Sequence, residues 1–373
     1  MICERGDDYY MKEIGSISSG QLFAMLFVSR MVVSMTYGTL LIGDSELWDH
    51  LVSVPVAFIL TFLLMVPIYK LFKMNMKMSL IDNLEICFGK FGIVLIALYI
   101  VYYLVISFHT LAIFNNFIIN AVNPSISLPV LSLLLLSSAC YGAYKGLEAL
   151  VRASGFILVA TILAFLFLGI SLFSSIEKIN FTPLLYNGFE SFGEGVLYMI
   201  SQASCIPALA VLLPMSRGNH KKGMIFWNIG VYSIFALIII LITGTMGDFG
   251  KTQLFPVYTA AGIGKFGSFR HLDCLYLGIW MSGIFLKLSL FLFLAGEGVK
   301  KIKGERAGKI SVVIFGFLMA IFPFFYGDFK ILYEGFLTYF LLIYLVLIAV
   351  IIPILLIIFK NKKPKKEKIK IEN

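Results

Sequence analysis

Two basic side chains, Arg30 and Lys287, stand inside long apolar runs. A charge near the bilayer centre costs at least about 2.5–3.5 kcal/mol on insertion scales, so such groups turn towards the protein interior and mark candidate sites. Arg30 lies in FVSRMVVSMTYGTLL beside Ser29, with Ser34 and Tyr37 on its own helical face and Thr36 between them in sequence. A guanidinium there can hold a ligand carboxylate through two hydrogen bonds, or clamp carbonyls freed by a broken helix. Lys287, midway along GIWMSGIFLKLSLFLFLAG, can replace a bound cation, exchange a proton or act as a fixed strut. His109 shares a stripe with Tyr99, Tyr102 and Ile106, and suits either aromatic packing or a ligand contact. All 21 acidic residues fall in loops or near helix ends, so neither buried cation has an obvious carboxylate partner.

The elements that must position these groups follow from composition. The 373 residues are 60% hydrophobic and 14% charged, well outside the range of a water-soluble domain. Mean hydropathy is +0.93. Runs of this length without polar alternation are helices, which satisfy every backbone group within one segment and cross about 30 Å of hydrocarbon. The expected architecture is an all-α polytopic membrane protein of about ten spans, near residues 17–43, 49–72, 91–118, 125–142, 151–175, 194–215, 224–246, 272–297, 308–326 and 333–359. Residues 1–16 form an N-terminal segment before the domain at 17–359, and 360–373 form a basic tail. Within the domain, 74–90 reads as an interfacial helix, and 247–271 as a bent surface segment able to cap a site.

With this division, 23 basic residues fall on the side of the termini and 5 on the other, which places both termini in the cytoplasm. The tail KNKKPKKEKIK then reads as an anchor to anionic lipid, not a nucleic-acid arm. Five scattered cysteines lack metal-ligand spacing, and no cofactor is expected. Catalytic motifs with a nucleophile, paired carboxylates or a phosphate-cradling loop are missing, which argues against an enzyme.

Ten spans divide as five plus five, and inverted five-helix repeats put their site where the first helix of each repeat unwinds. The sixth span, LYMISQASCIPALAVLLP, carries Ser201, Gln202 and Ser204 just ahead of Pro207, whose missing N–H is expected to free carbonyls around Ala203 and Ser204. Broken first and sixth spans would gather a candidate ligand set of Ser29, Arg30, Ser34, Thr36, Tyr102, His109, Ser201, Gln202, Ser204 and Lys287.

Three stretches carry a family resemblance: ISSGQLFAMLFVSRMVVSMTYG, YGAYKGLEALVRAS, and FPVYTAAGIGKFGSFRHLDCLYLGIWMSGIFLKLSLFLF with Arg270, Asp273, Trp280 and Lys287. Together they resemble the B subunits of bacterial endospore germinant receptors, the GerAB-like family. The resemblance implies an amino acid–polyamine–organocation transporter fold used as a sensor of a small nutrient. It also implies partnership with an A subunit and a lipoprotein C subunit in the spore inner membrane. The first span departs from many relatives, with Val32 and Val33 at a Gly-Thr-like pair and an added Arg30. An amino-acid permease is the competing expectation, since sensing and transport use the same broken helices.

Overall fold

The computed structural model describes residues 17–36, 48–74, 78–182, 185, 189–266, 269–270, 273–321 and 336–362. The secondary structure of the described residues is helical apart from one antiparallel pairing of Lys265–Phe266 with Phe269–Arg270 and an isolated bridge between Ser18 and Arg217. In order, the helices are α1 (Ser19–Met35), α2 (His50–Met74), α3 (Leu80–Phe88), α4 (Lys90–Phe117), α5 (Leu128–Lys145), α6 (Leu147–Phe173), α7 (Phe189–Ser201) and α8 (Cys205–Leu212). After them come α9 (His220–Met246), α10 (Phe249–Thr252), α11 (Pro256–Ile263), α12 (Asp273–Lys303), α13 (Glu305–Ile321), α14 (Phe336–Val346) and α15 (Ile352–Lys362). Each of the ten expected apolar segments overlaps a helix or a helix pair. Eight segments among the described residues are long and apolar enough to cross a membrane, while α1 falls in a shorter class. The sides of the bundle are those of a protein solvated by lipid: Phe156, Phe173 and Phe226 are 84%, 77% and 71% exposed.

Local chemistry sets where helices begin and bend. Ser18 Oγ accepts the Gln21 N–H at 3.2 Å while Gln21 Oε1 accepts the Ser18 N–H at 3.0 Å, a reciprocal cap that starts α1. Ser79 and Asp82 repeat the device at α3, within the expected interfacial stretch. The α5–α6 turn passes through Gly146 at φ 89°, a conformation that a side chain would strain. A π-helical turn at Leu347–Ile351 separates α14 from α15, and the Tyr99 hydroxyl donates to the Ile348 carbonyl at 2.7 Å.

The central helix is α12, 31 residues long, which packs on α1, α4, α5, α6 and α13. Gly283 lets α1 approach closely, because a Cβ there would lie 2.8 Å from Val32 Cγ2. That contact sets the spacing between the helices carrying Arg30 and Lys287. The start of α1 is also joined to the chain after α8: Ser19 N–H donates to the Arg217 carbonyl at 2.7 Å, and Arg217 N–H to the Ile17 carbonyl at 3.0 Å.

The segment expected to lie on the surface at 247–271 is more deeply seated than a loop. Phe255, Val257, Ala260 and Ala261 are buried, and Phe117 meets Phe255 and Tyr258 edge-on at 4.8 and 5.1 Å. At the other end of the bundle, Lys301 bridges Asp82 and Glu85 at 2.9 and 3.4 Å, tying α12 to α3. Arg152 pairs with Glu148 one turn back at 2.5 Å. Residues 1–16 and 363–373, and with them most of the basic tail, lie outside the described residues.

Candidate functional site

The sixth span is broken between α7 and α8, at Gln202–Ser204. Hydrogen-bond pairing explains what the break exposes. Ala203 N–H reaches back only three residues, to the Ile200 carbonyl at 2.8 Å, and Ile206 N–H likewise reaches the Ala203 carbonyl at 3.0 Å. A regular helix would have sent those donors to Met199 and Gln202, whose carbonyl oxygens are therefore released. Arg30 takes both: Nη2 donates to the Met199 carbonyl at 2.6 Å and Nη1 to the Gln202 carbonyl. The guanidinium also lies over the Phe235 ring, 5.3 Å from its centroid, and Arg30 is 1% exposed.

This corrects the expectation in two respects. The freed carbonyls are Met199 and Gln202, ahead of those expected from Pro207, because Pro207 falls in the first turn of α8, where its missing N–H is least needed. Of the two roles open to Arg30, the geometry displays the carbonyl clamp. The first span, also expected to be broken, runs as an uninterrupted helix through Ser29, Arg30 and Ser34 to Met35, and residues 37–47 lie outside the described residues.

The candidate ligand set divides into two groups. Ser34, Thr36 and Ser201 are turned back on their own helices, donating to Met31 at 2.9 Å, to Val32 and Val33 at 3.1 Å, and to Tyr198 at 2.8 Å. The others gather at the break. Gln202 Oε1 faces His109 Nε2 at 3.4 Å, and the Cys205 thiol donates to Ser29 Oγ at 3.6 Å. Tyr102, 1% exposed, packs edge-on against Tyr344 at 5.2 Å and has Arg30 and Cys205 among its electrostatic neighbours. Lys287 is 1% exposed, with Cys205 and Arg30 as its electrostatic neighbours. Ser204 Oγ is buried and has no hydrogen-bond partner among the described residues.

Sequence reasoning passed over several contributors. Tyr103 donates from its hydroxyl to the Pro207 carbonyl at 3.1 Å, and Tyr276 donates to the Met35 carbonyl at 2.6 Å where α1 ends. Tyr103 stood next to the noted stripe as its Tyr102 neighbour. Tyr276 had no local signal, since its acceptor is 241 residues away.

Two cavities lie along the bundle, one of them touching His109. One, of about 350 Å³, lies at the end of the bundle near Ile17 and Met215 and is walled by Glu297, Lys300 and Lys309. The other, also about 350 Å³, is an apolar groove between α4 and α13 with His109 among Phe108, Phe315 and Met319. Among the described residues no cluster of three metal-ligating side chains occurs.

Apolar spans packed around an interrupted helix define an integral membrane protein of the permease type. The sequence model of a family described as spore germination protein matches residues 16–329, and the chain belongs to that family. No curated protein matches it significantly.

Proposed function

We propose that this chain is the nutrient-sensing subunit of a spore germination receptor. In this reading it binds a small, amino-acid-like molecule at the Gln202–Ser204 break and passes the state of the bundle to partner subunits. The observation that carries it, beside family membership, is the convergence of Ser29, Arg30, His109, Gln202, Ser204 and Lys287 on one interrupted helix. A ligand shifts such a bundle only by its different affinity for two arrangements of it. The partners would be an A subunit and a lipoprotein C subunit, in the spore inner membrane with both termini cytoplasmic.

The alternative is an amino-acid permease. The polar cavity beside Glu297 and Lys300 favours it, as an aqueous mouth on the end rich in lysine. Deleting the gene in its spore-forming host separates the two. Loss of germination towards one nutrient class, restored by the wild-type gene, supports the receptor. Normal germination with every nutrient, together with reduced amino-acid uptake in growing cells, overturns the receptor and supports the permease.

A further inference from the structure

The chamber of about 350 Å³ at the lysine-rich end of the bundle does not stop at its polar walls. Tyr144, Glu305 and Lys309 also line a second depression, of about 640 Å³, which adds Arg306, Ile310 and Val313. Ile310, Val313 and Phe317 are exposed and follow one another at i, i+3 and i+7, an apolar stripe on the outer face of α13. Across from it, the end of α5 exposes Tyr141 and Tyr144, amphipathic rings of the kind that gather at the headgroup level. Lys145 Nζ lies 5.2 Å from the centroid of the Tyr141 ring. Gly308 brings α13 hard against α12, because a Cβ there would lie 2.6 Å from Lys300 Cβ. The charges around this crevice do not cancel. Glu297 pairs with Lys300 at 3.2 Å, Glu305 with Lys309 at 3.0 Å, and Glu148 with Arg152, which stands outside both lined spaces. Lys145 and Arg306 make no ion pair with any described residue. Five cations thus stand against three carboxylates, an excess of two positive charges where a polar chamber meets an apolar stripe.

We infer that the crevice between the ends of α5 and α13 seats one anionic phospholipid, its phosphate between Lys145 and Arg306 and an acyl chain along Ile310, Val313 and Phe317. Basic pockets between membrane helices select acidic headgroups in this way. A soluble phosphate would meet the cations and leave the stripe unused. A zwitterionic lipid would cover the stripe and bring no net charge to the excess. Ile17 and Met215 form part of the chamber wall, so the headgroup sits beside the bridge that joins α1 to the chain after α8. The seat is separate from the basic tail and holds whether the bundle senses or transports.

The test is native mass spectrometry of the full chain in detergent, titrated with phosphatidylglycerol or with phosphatidylcholine of the same acyl chains. Wild type should retain one phosphatidylglycerol at least about tenfold more tightly than phosphatidylcholine. A cation at an anionic headgroup is worth about fivefold in affinity, so Lys145→Gln and Arg306→Gln should each weaken phosphatidylglycerol by about that factor, and the double variant by about twenty-five-fold. Lys301→Gln, whose side chain turns to α3, should leave retention unchanged. Equal retention of the two lipids, or retention that neither single variant weakens, overturns the seat and leaves an unselective lipid annulus. A loss as large in Lys301→Gln as in Lys145→Gln overturns it too, since the effect would then be one of overall charge. Displacement of phosphatidylglycerol by glycerol 3-phosphate at equal concentration overturns the lipid assignment in favour of a soluble phosphate. Both substituted side chains are exposed, and either single variant carries the test if the other fails to fold.

Discussion

On the carbonyl side of the Gln202–Ser204 break, Met199 and Gln202 each give an oxygen to Arg30, whereas on the amide side Ser204 and Cys205 hold N–H groups without an acceptor among the described residues. The two sides arise from one interruption, yet the protein closes one with its own permanent cation and leaves the other open. A buried guanidinium forking onto two carbonyls fixes geometry at the expense of exchange. Unfilled N–H donors impose no such lock. The difference separates a side of the break that is held by a side chain from one that is not.

Substitutions can break or sharpen that contrast. Arg30→Met should have the largest effect, because two charge-assisted hydrogen bonds at roughly 1.5–3 kcal/mol each are lost and both oxygens stay buried. The expected outcome is a loss of about 3–6 kcal/mol, read as depleted folded protein in membranes and a collapsed melting temperature. Lys287→Met should move the other way and stabilise on the order of 1 kcal/mol, since it removes a desolvated charge and keeps the volume. Opposite signs for two buried cations would sustain the comparison, and a shared sign would end it. Tyr103→Phe should cost about 1 kcal/mol through its bond to the Pro207 carbonyl, checked by the same melting curve. Pro207→Ala should change stability by less than about 1 kcal/mol, because the first turn of a helix does not need that donor. A large stabilisation there would mean that the proline, not Arg30, maintains the break. Smallest of all, Lys301→Ala should cost under about 1 kcal/mol and lose its effect at high salt, as expected for a half-exposed bridge.

The spans were legible because hydrocarbon allows so few solutions: a run of about 20 apolar residues has to be a helix. The interruption in the sixth span was legible from Pro207 and the serines ahead of it, but its register was not. Which carbonyls go free depends on whether Ala203 and Ile206 reach back three residues or four, a choice made by tertiary contacts. The acceptors of Arg30 were invisible for a related reason. They are backbone atoms 169 and 172 residues away, and backbone atoms carry no letter in a sequence. Ser34, Thr36 and Ser201 show the opposite failure, since polar side chains at mid-span looked available until their own helices claimed them.

The bridge between Ser18 and Arg217 yokes the foot of the first helix to the far end of the broken one. α8 has eight residues, about 12 Å of rod at 1.5 Å per residue, with the break at one tip and the yoke just past the other. Any tilt of this short lever about the break becomes a sideways stroke at the yoke, and the first helix is dragged with it. A partner gripping the chain near Arg217 would then feel motion from both helices through a single handle.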